Sequence, residues 1–118
     1  MKQWAVLLLK RHRWLWQSSN MDKGSVIQTL RMHETELRAA GIVHLRLFGS
    51  VARGEATEKS DVDLIAEFDR SRRFTLFGMA RLENQLSDLL GVKVDLSPAH
   101  SMKPRIMMRA MREAVHAF

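Results

Sequence analysis

Three stretches of alternating residues, 43–48, 61–68 and 92–96, constrain this chain more than any other feature. In the first, Val43, Leu45 and Leu47 alternate with His44 and Arg46. In the second, Val62, Leu64, Ala66 and Phe68 alternate with Asp61, Asp63, Ile65 and Glu67, and in the third Val92, Val94 and Leu96 alternate with Lys93 and Asp95. A period of two sends successive side chains to opposite faces, so each stretch reads as a strand with one buried face. Around them the period changes to three and four. Val26, Ile27, Leu30, His33, Leu37 and Ala40 predict one helix that Gly41 stops. Leu76, Met79, Leu82, Leu86 and Leu89 predict another that ends at Gly91. Met107, Met108, Met111 and Val115 predict a last helix that Pro104 can start. Gly49-Ser50 breaks the first strand, and Gly54 closes a short turn or helix after it. The expected architecture is α+β, a small mixed sheet with helices packed on one face.

A chain of 118 residues allows one domain or one domain with an appendage. It has no cysteine, which removes disulfides, thiolate zinc sites and cysteine nucleophiles and is compatible with a cytoplasmic setting. The longest apolar run, Ala5 to Leu9 extended by Trp4, falls far short of the roughly 20 residues of a membrane span. Residues 1–20 hold +4 of the net +6 charge and all three tryptophans, Trp4, Trp14 and Trp16. This composition break predicts a weakly ordered extension over 1–20 upstream of a natural start at Met21, and a folded unit over 21–118. A basic amphipathic segment touching a membrane surface or a partner is the alternative.

The chemistry falls on the sheet face away from the core. Asp61 and Asp63 point the same way, with about 6–7 Å between their α-carbons. Two carboxylates held on one face repel each other unless a cation lies between them, and an all-oxygen ligand set suits Mg²⁺. Asp95 repeats the arrangement on the third strand and joins the pair if the strands are neighbours. Three aspartates then supply what a two-metal phosphoryl transfer requires. Gly49 lets the backbone approach a ligand, and the amides after it, with the Ser50 hydroxyl, can hold a phosphate. Phosphate holder, metal pair and third carboxylate describe nucleotide transfer better than hydrolysis of a sugar or an ester.

The run Leu47-Phe48-Gly49-Ser50-Val51-Ala52-Arg53-Gly54, followed by Ser60-Asp61-Val62-Asp63-Leu64, resembles the signature of the DNA polymerase β-like nucleotidyltransferases: G-S, ten residues, D-x-D. The small size is similar to their minimal (MNT) branch. The resemblance extends through the 76–90 helix, the Val92-Lys93-Val94-Asp95-Leu96 strand and Lys103-Pro104, and residues 1–20 have no counterpart in it. It implies the polymerase β palm-like fold, Gly49 and Ser50 on the triphosphate of ATP, Asp61 and Asp63 on two Mg²⁺ ions, and Asp95 assisting the acceptor hydroxyl. It also implies a HEPN-domain toxin as partner, with this chain as an antitoxin that AMPylates a toxin tyrosine or neutralises the toxin by binding alone. The chain itself contains no tyrosine, so such a reaction runs in trans. One departure is the turn Thr57-Glu58-Lys59, where relatives often carry a proline. The helical domain by which antibiotic-modifying relatives hold small acceptors is also missing.

Other residues have plainer readings. Arg53 either touches phosphate or pins its turn. Lys59 and Ser60 finish the turn before the second strand, and Glu67 is a structural or exposed acid. Arg70, Arg72 and Arg73 form a solvated loop, with an acidic partner surface as the alternative. The five histidines lack metal-ligand spacing, and His33 is expected to pack in the core. Met107, Met108 and Met111 are expected to pack as core, although exposed methionines adapt to partners. The net charge of +6 motivates nucleic-acid binding as a competing reading, but outside residues 1–20 only +2 remains, so no specific nucleic-acid partner is expected.

Overall fold

The computed structural model describes residues 22–57 and 60–118, so the expectations for residues 1–20 and for Lys59 lie outside the described residues. The chain runs α1 (Lys23–Met32), α2 (Glu34–Ala39), β1 (Ile42–Phe48), α3 (Gly49–Ala52), β2 (Val62–Phe68), α4 (Leu76–Leu90) and β3 (Val94–Pro98). A 3-10 turn (Ala99–Ser101), α5 (Pro104–Glu113) and β4 (Val115–His116) complete it. The strands form one mixed sheet in the order β3-β2-β1-β4. β1 runs antiparallel to both β2 and β4, while β2 and β3 are parallel.

Alternation holds in β2, in β3 and in β1 from Leu45 onward. Val43, expected on the buried face, is 38% exposed, because the register shifts between Ile42 and His44 and Ile42 takes the buried place. Leu45 and Leu47 of β1, Val62, Leu64 and Ala66 of β2, and Val94 and Leu96 of β3 are buried in one core with Val26, Ile27 and Leu30 of α1 and Leu82 and Leu86 of α4. The Asp22 carboxylate caps α1 by accepting from the Ser25 amide at 2.7 Å, and the Thr75 hydroxyl caps α4 by accepting from Gly78 at 3.0 Å. Gly91 ends α4 in the left-handed region at φ 71°. The outer edge of β3 is closed by α4, where Ser87 Oγ accepts from the Val94 amide at 3.1 Å and Glu83 Oε2 from the Leu96 amide at 3.0 Å.

Several expectations need correction. The stripe from Val26 to Ala40 is two helices, broken at His33, whose backbone leaves the helical region at φ −107° and ψ 16°. His33 is not a core histidine: its side chain is 30% exposed, and Nδ1 lies 3.3 Å from Glu36 Oε1. Leu76 opens α4 but is 89% exposed, and the buried residues of that helix are Leu82 and Leu86. β3 starts at Val94 rather than at Val92. Val115 does not continue the last helix. Ala114 turns extended (φ −68°, ψ 142°), and Val115 and His116 pair with Leu47 and Arg46 as a fourth strand. Met108 and Met111 are 65% and 41% exposed, so the methionine cluster is not core.

Candidate active site

The carboxylates are placed by register. Asp63 of β2 lies directly beside Asp95 of the parallel strand β3, a neighbour spacing of about 4.8 Å between strands. Each alternates with core residues (Val62 and Leu64, Val94 and Leu96), so both side chains leave the sheet on the face away from the core. Asp61 immediately precedes β2 and is exposed, with Oδ2 3.9 Å from Lys93 Nζ at the approach to β3. The structure therefore brings Asp63 and Asp95 together, with Asp61 at the rim beside a lysine.

Asp63 is the electrostatically stressed member. Burial pushes its carboxyl above the ordinary aspartate value, the charges of Asp95 and then Asp61 push the same way, and Arg53 opposes them. Its register partner on the other side is Phe48, the residue before Gly49. Gly49 has φ +78°, and a β-carbon built there would collide with the Asp63 carboxylate. Glycine is thus required twice, by backbone conformation and by the carboxylate lying against it. The turn and the Asp63 carboxylate meet at this point.

Beyond Gly49, α3 is a single turn with no side-chain cap at its N-terminus, so its leading amides have no helical acceptor. Ser50 is half-buried, and its hydroxyl has no hydrogen-bond partner among the described residues. Arg53 closes the turn and is held in place by Nε on Glu55 Oε2 at 2.9 Å and Nη1 on Glu113 Oε2 at 3.0 Å. Those hydrogen bonds, with Glu55 the stronger, raise its guanidinium above the ordinary value. These two bonds pin the turn. Ser60 accepts from the Thr57 amide at 2.8 Å and donates its own amide back to Thr57 at 3.0 Å, which finishes the turn before the carboxylates.

No three His, Cys, Asp or Glu side chains form a closed metal cage among the described residues. Mg²⁺ does not need one, since it binds through one or two carboxylates and completes its octahedron with water and substrate phosphates. A half-buried aspartate crowded by two others, next to a backbone turn with free amides, is a donor set that fits that ion.

Glu67 shares the Asp63 face but belongs to another cluster. Its Oε2 accepts from Arg46 Nη1 at 2.6 Å, which holds its pKa below the ordinary glutamate value. Arg72 leaves its loop to donate from Nη1 to the Ala39 carbonyl at 2.7 Å, while Arg70 and Arg73 are exposed. Because Glu67 stabilises the sheet rather than the carboxylate pair, Glu67→Gln is expected to cost about 0.5–1 kcal/mol of stability at pH 7. That cost should disappear as the pH falls through the glutamate range. Nucleotide transfer should stay within twofold of the parent, and thermal melts from pH 3 to 7 beside an activity assay check both statements.

Residues 30–116 match the family described as Nucleotidyltransferase domain. The chain belongs to this nucleotidyltransferase family. Within it, the chain is 40% identical over 88 residues to the protein adenylyltransferase MntA of Thermococcus cleftensis, covering 74% of this chain and 87% of that protein. A solved structure described as a minimal nucleotidyltransferase is 43% identical and superposes with a TM-score of 0.67, covering 82% of this chain and 97% of the other. That likeness agrees with the mixed four-stranded sheet and its helices. A chain from the complex of a tri-AMPylated Shewanella oneidensis HEPN toxin with an MNT antitoxin is 17% identical, with a TM-score of 0.57 over 78% of this chain and 71% of that one. At this identity the likeness speaks for the nucleotidyltransferase fold alone. No helix among the described residues is long and apolar enough to cross a membrane.

Sequence reasoning did not single out Glu113 or Glu55 as the partners of Arg53. Glu55 lies two residues away and was open to inspection, but Glu113 is brought in only by the packing of α5 beside α3. The burial of Ile65 on the Asp63 face was equally hidden, because its neighbours Leu64 and Ala66 already fill the core side.

Proposed function

We propose that this nucleotidyltransferase transfers AMP from ATP to a tyrosine hydroxyl of a HEPN-domain toxin in the cytoplasm, and thereby acts as its antitoxin. The observation that carries this reading is the register of Asp63 with Asp95 on one face, with the Gly49 turn against the Asp63 carboxylate. The adenylyltransferase relative and the fold shared with the antitoxin of an AMPylated toxin support it. Asp61, Asp63 and Asp95 are the residues to hold Mg²⁺, which when bound neutralises charge on the triphosphate. The amides and hydroxyl of Gly49-Ser50 orient the triphosphate. The acceptor oxygen forms its bond to the α-phosphorus in line as the bond to the β-phosphate oxygen breaks, and pyrophosphate leaves. Asp95, the most open of the strand carboxylates, orients the hydroxyl and takes its proton.

The test is incubation of the chain with each α-labelled nucleoside triphosphate, Mg²⁺ and the HEPN-domain partner, followed by mass analysis of the partner. One AMP added per modified tyrosine, from ATP and only with Mg²⁺, is the expected result. A partner that is inhibited yet unmodified overturns the transfer reading in favour of neutralisation by binding.

A further inference from the structure

The last helix does not bury the face that its sequence makes apolar. Ile106, Met107, Ala110 and Met111 of α5 project to one side at helical spacing, yet only Ala110 is buried. Ile106 and Met111 are 52% and 41% exposed, and the adjoining Met108 is 65% exposed. The solvent side of the helix, between Met108 and Ile106, carries Arg105, Arg109 and Arg112, all exposed and without an ion pair among the described residues. Arg38, Arg46 and Arg53, by contrast, each hold a carboxylate. The helix thus presents uncovered apolar surface bordered by uncompensated positive charge, a combination that marks an interaction site.

Its position connects it with the carboxylates. α5 packs against β1 and α3, and Glu113 at its end accepts from Arg53, the residue that closes the Gly49-Ser50 turn, at 3.0 Å. Arg53 in turn is near enough to Asp63 for its charge to act on that carboxyl, so one side chain connects the end of α5 with the carboxylate site.

We infer that this flank docks the protein that presents the acceptor hydroxyl, through a partner surface of apolar side chains bordered by carboxylates. The inference rests on the protein-acceptor reading above and names the surface on which that acceptor is held. Carboxylates answer Arg105, Arg109 and Arg112. Unbranched methionines adapt to the shape of an apolar partner, and the ion pair from Glu113 to Arg53 fixes the docked protein relative to the triphosphate turn. A nucleic acid would engage the arginines but leave Ile106, Met108 and Met111 uncovered. A second copy in face-to-face contact would bring like charges together.

The test compares the full chain with M108E/M111E and R105E/R109E, using the HEPN-domain partner for calorimetry and label transfer. Glutamate is a strong helix former at exposed positions, and unchanged melting and an ATP affinity within twofold of the parent confirm that the fold and the nucleotide site are intact. The expected result is partner binding weaker by about 30-fold for the methionine pair and about tenfold for the arginine pair. The KM for partner should rise in step while kcat at saturating partner is retained. Parental affinity and labelling in both variants overturn the inference and leave the transfer reading standing. So does parental partner affinity alongside lost binding of a twenty-nucleotide RNA, or lost self-association. Weakened partner binding with no label transfer even by the parent chain sustains the docking surface and overturns the transfer reading.

Discussion

Asp63→Asn is expected to reduce nucleotide transfer by at least about a thousandfold, roughly 4 kcal/mol of transition-state stabilisation, while making the metal-free protein more stable. Both effects come from the same crowding. In the fold the Asp63 carboxyl has its pKa raised by burial, by Asp95 and by Asp61. A group raised in this way stabilises the fold fully below its unfolded value of 3.8 and loses that contribution as the pH rises through its folded value. At pH 7 the charged aspartate is therefore a liability, and the isosteric neutral amide removes it. The melting temperature without divalent ions should rise by about 2–4 °C at pH 7, and the gain should vanish when the melt is repeated below the ordinary aspartate range. Mg²⁺ with ATP should stabilise the parent chain and leave the variant unmoved. A variant that melts below the parent at pH 7, or that still gains stability from Mg²⁺ and ATP, would show that Asp63 is not the crowded metal-type carboxylate of this site.

Gly49→Ala is expected to damage the fold and the candidate site together. It meets two independent penalties: a positive φ of 78° that an L-residue resists, and a collision with the Asp63 carboxylate. The first costs about 1–2 kcal/mol and the second about 1–3 kcal/mol, so the expected loss is roughly 2–5 kcal/mol. Transfer should fall by about a hundredfold or more as the carboxylate is displaced from Asp95. A double variant separates the two terms. Combining Gly49→Ala with Asp63→Ala removes the collision but not the backbone strain, so stability should recover in part and never in full. Additive losses in denaturant unfolding would mean that glycine and carboxylate do not touch.

The chemical centre was legible before the structure because it depends on strand periodicity. Alternation assigns Asp63 and Asp95 to the face opposite Val62, Leu64, Val94 and Leu96 without any knowledge of tertiary contacts. Their direct adjacency needed the parallel pairing of β2 and β3, which the sequence allowed but did not dictate. What was misread depends on distant packing. A two-residue strand at Val115–His116 has no pattern of its own and exists because β1 offers Leu47 and Arg46 an open edge. The methionines of α5 carry the period of a buried helix, but periodicity reports which side is apolar, not whether anything covers it. The break at His33 was invisible for a related reason, since the apolar spacing continues across it into Leu37. The pinning of Arg53 was half legible, with Glu55 near in sequence and Glu113 sixty residues away.

Asp95 sits on the outermost strand of the sheet, and that strand has spent its outward-facing amides on Glu83 and Ser87. Another chain cannot extend the sheet there by adding a strand of its own. A substrate approaching Asp95 therefore does not compete with a strand added at that edge.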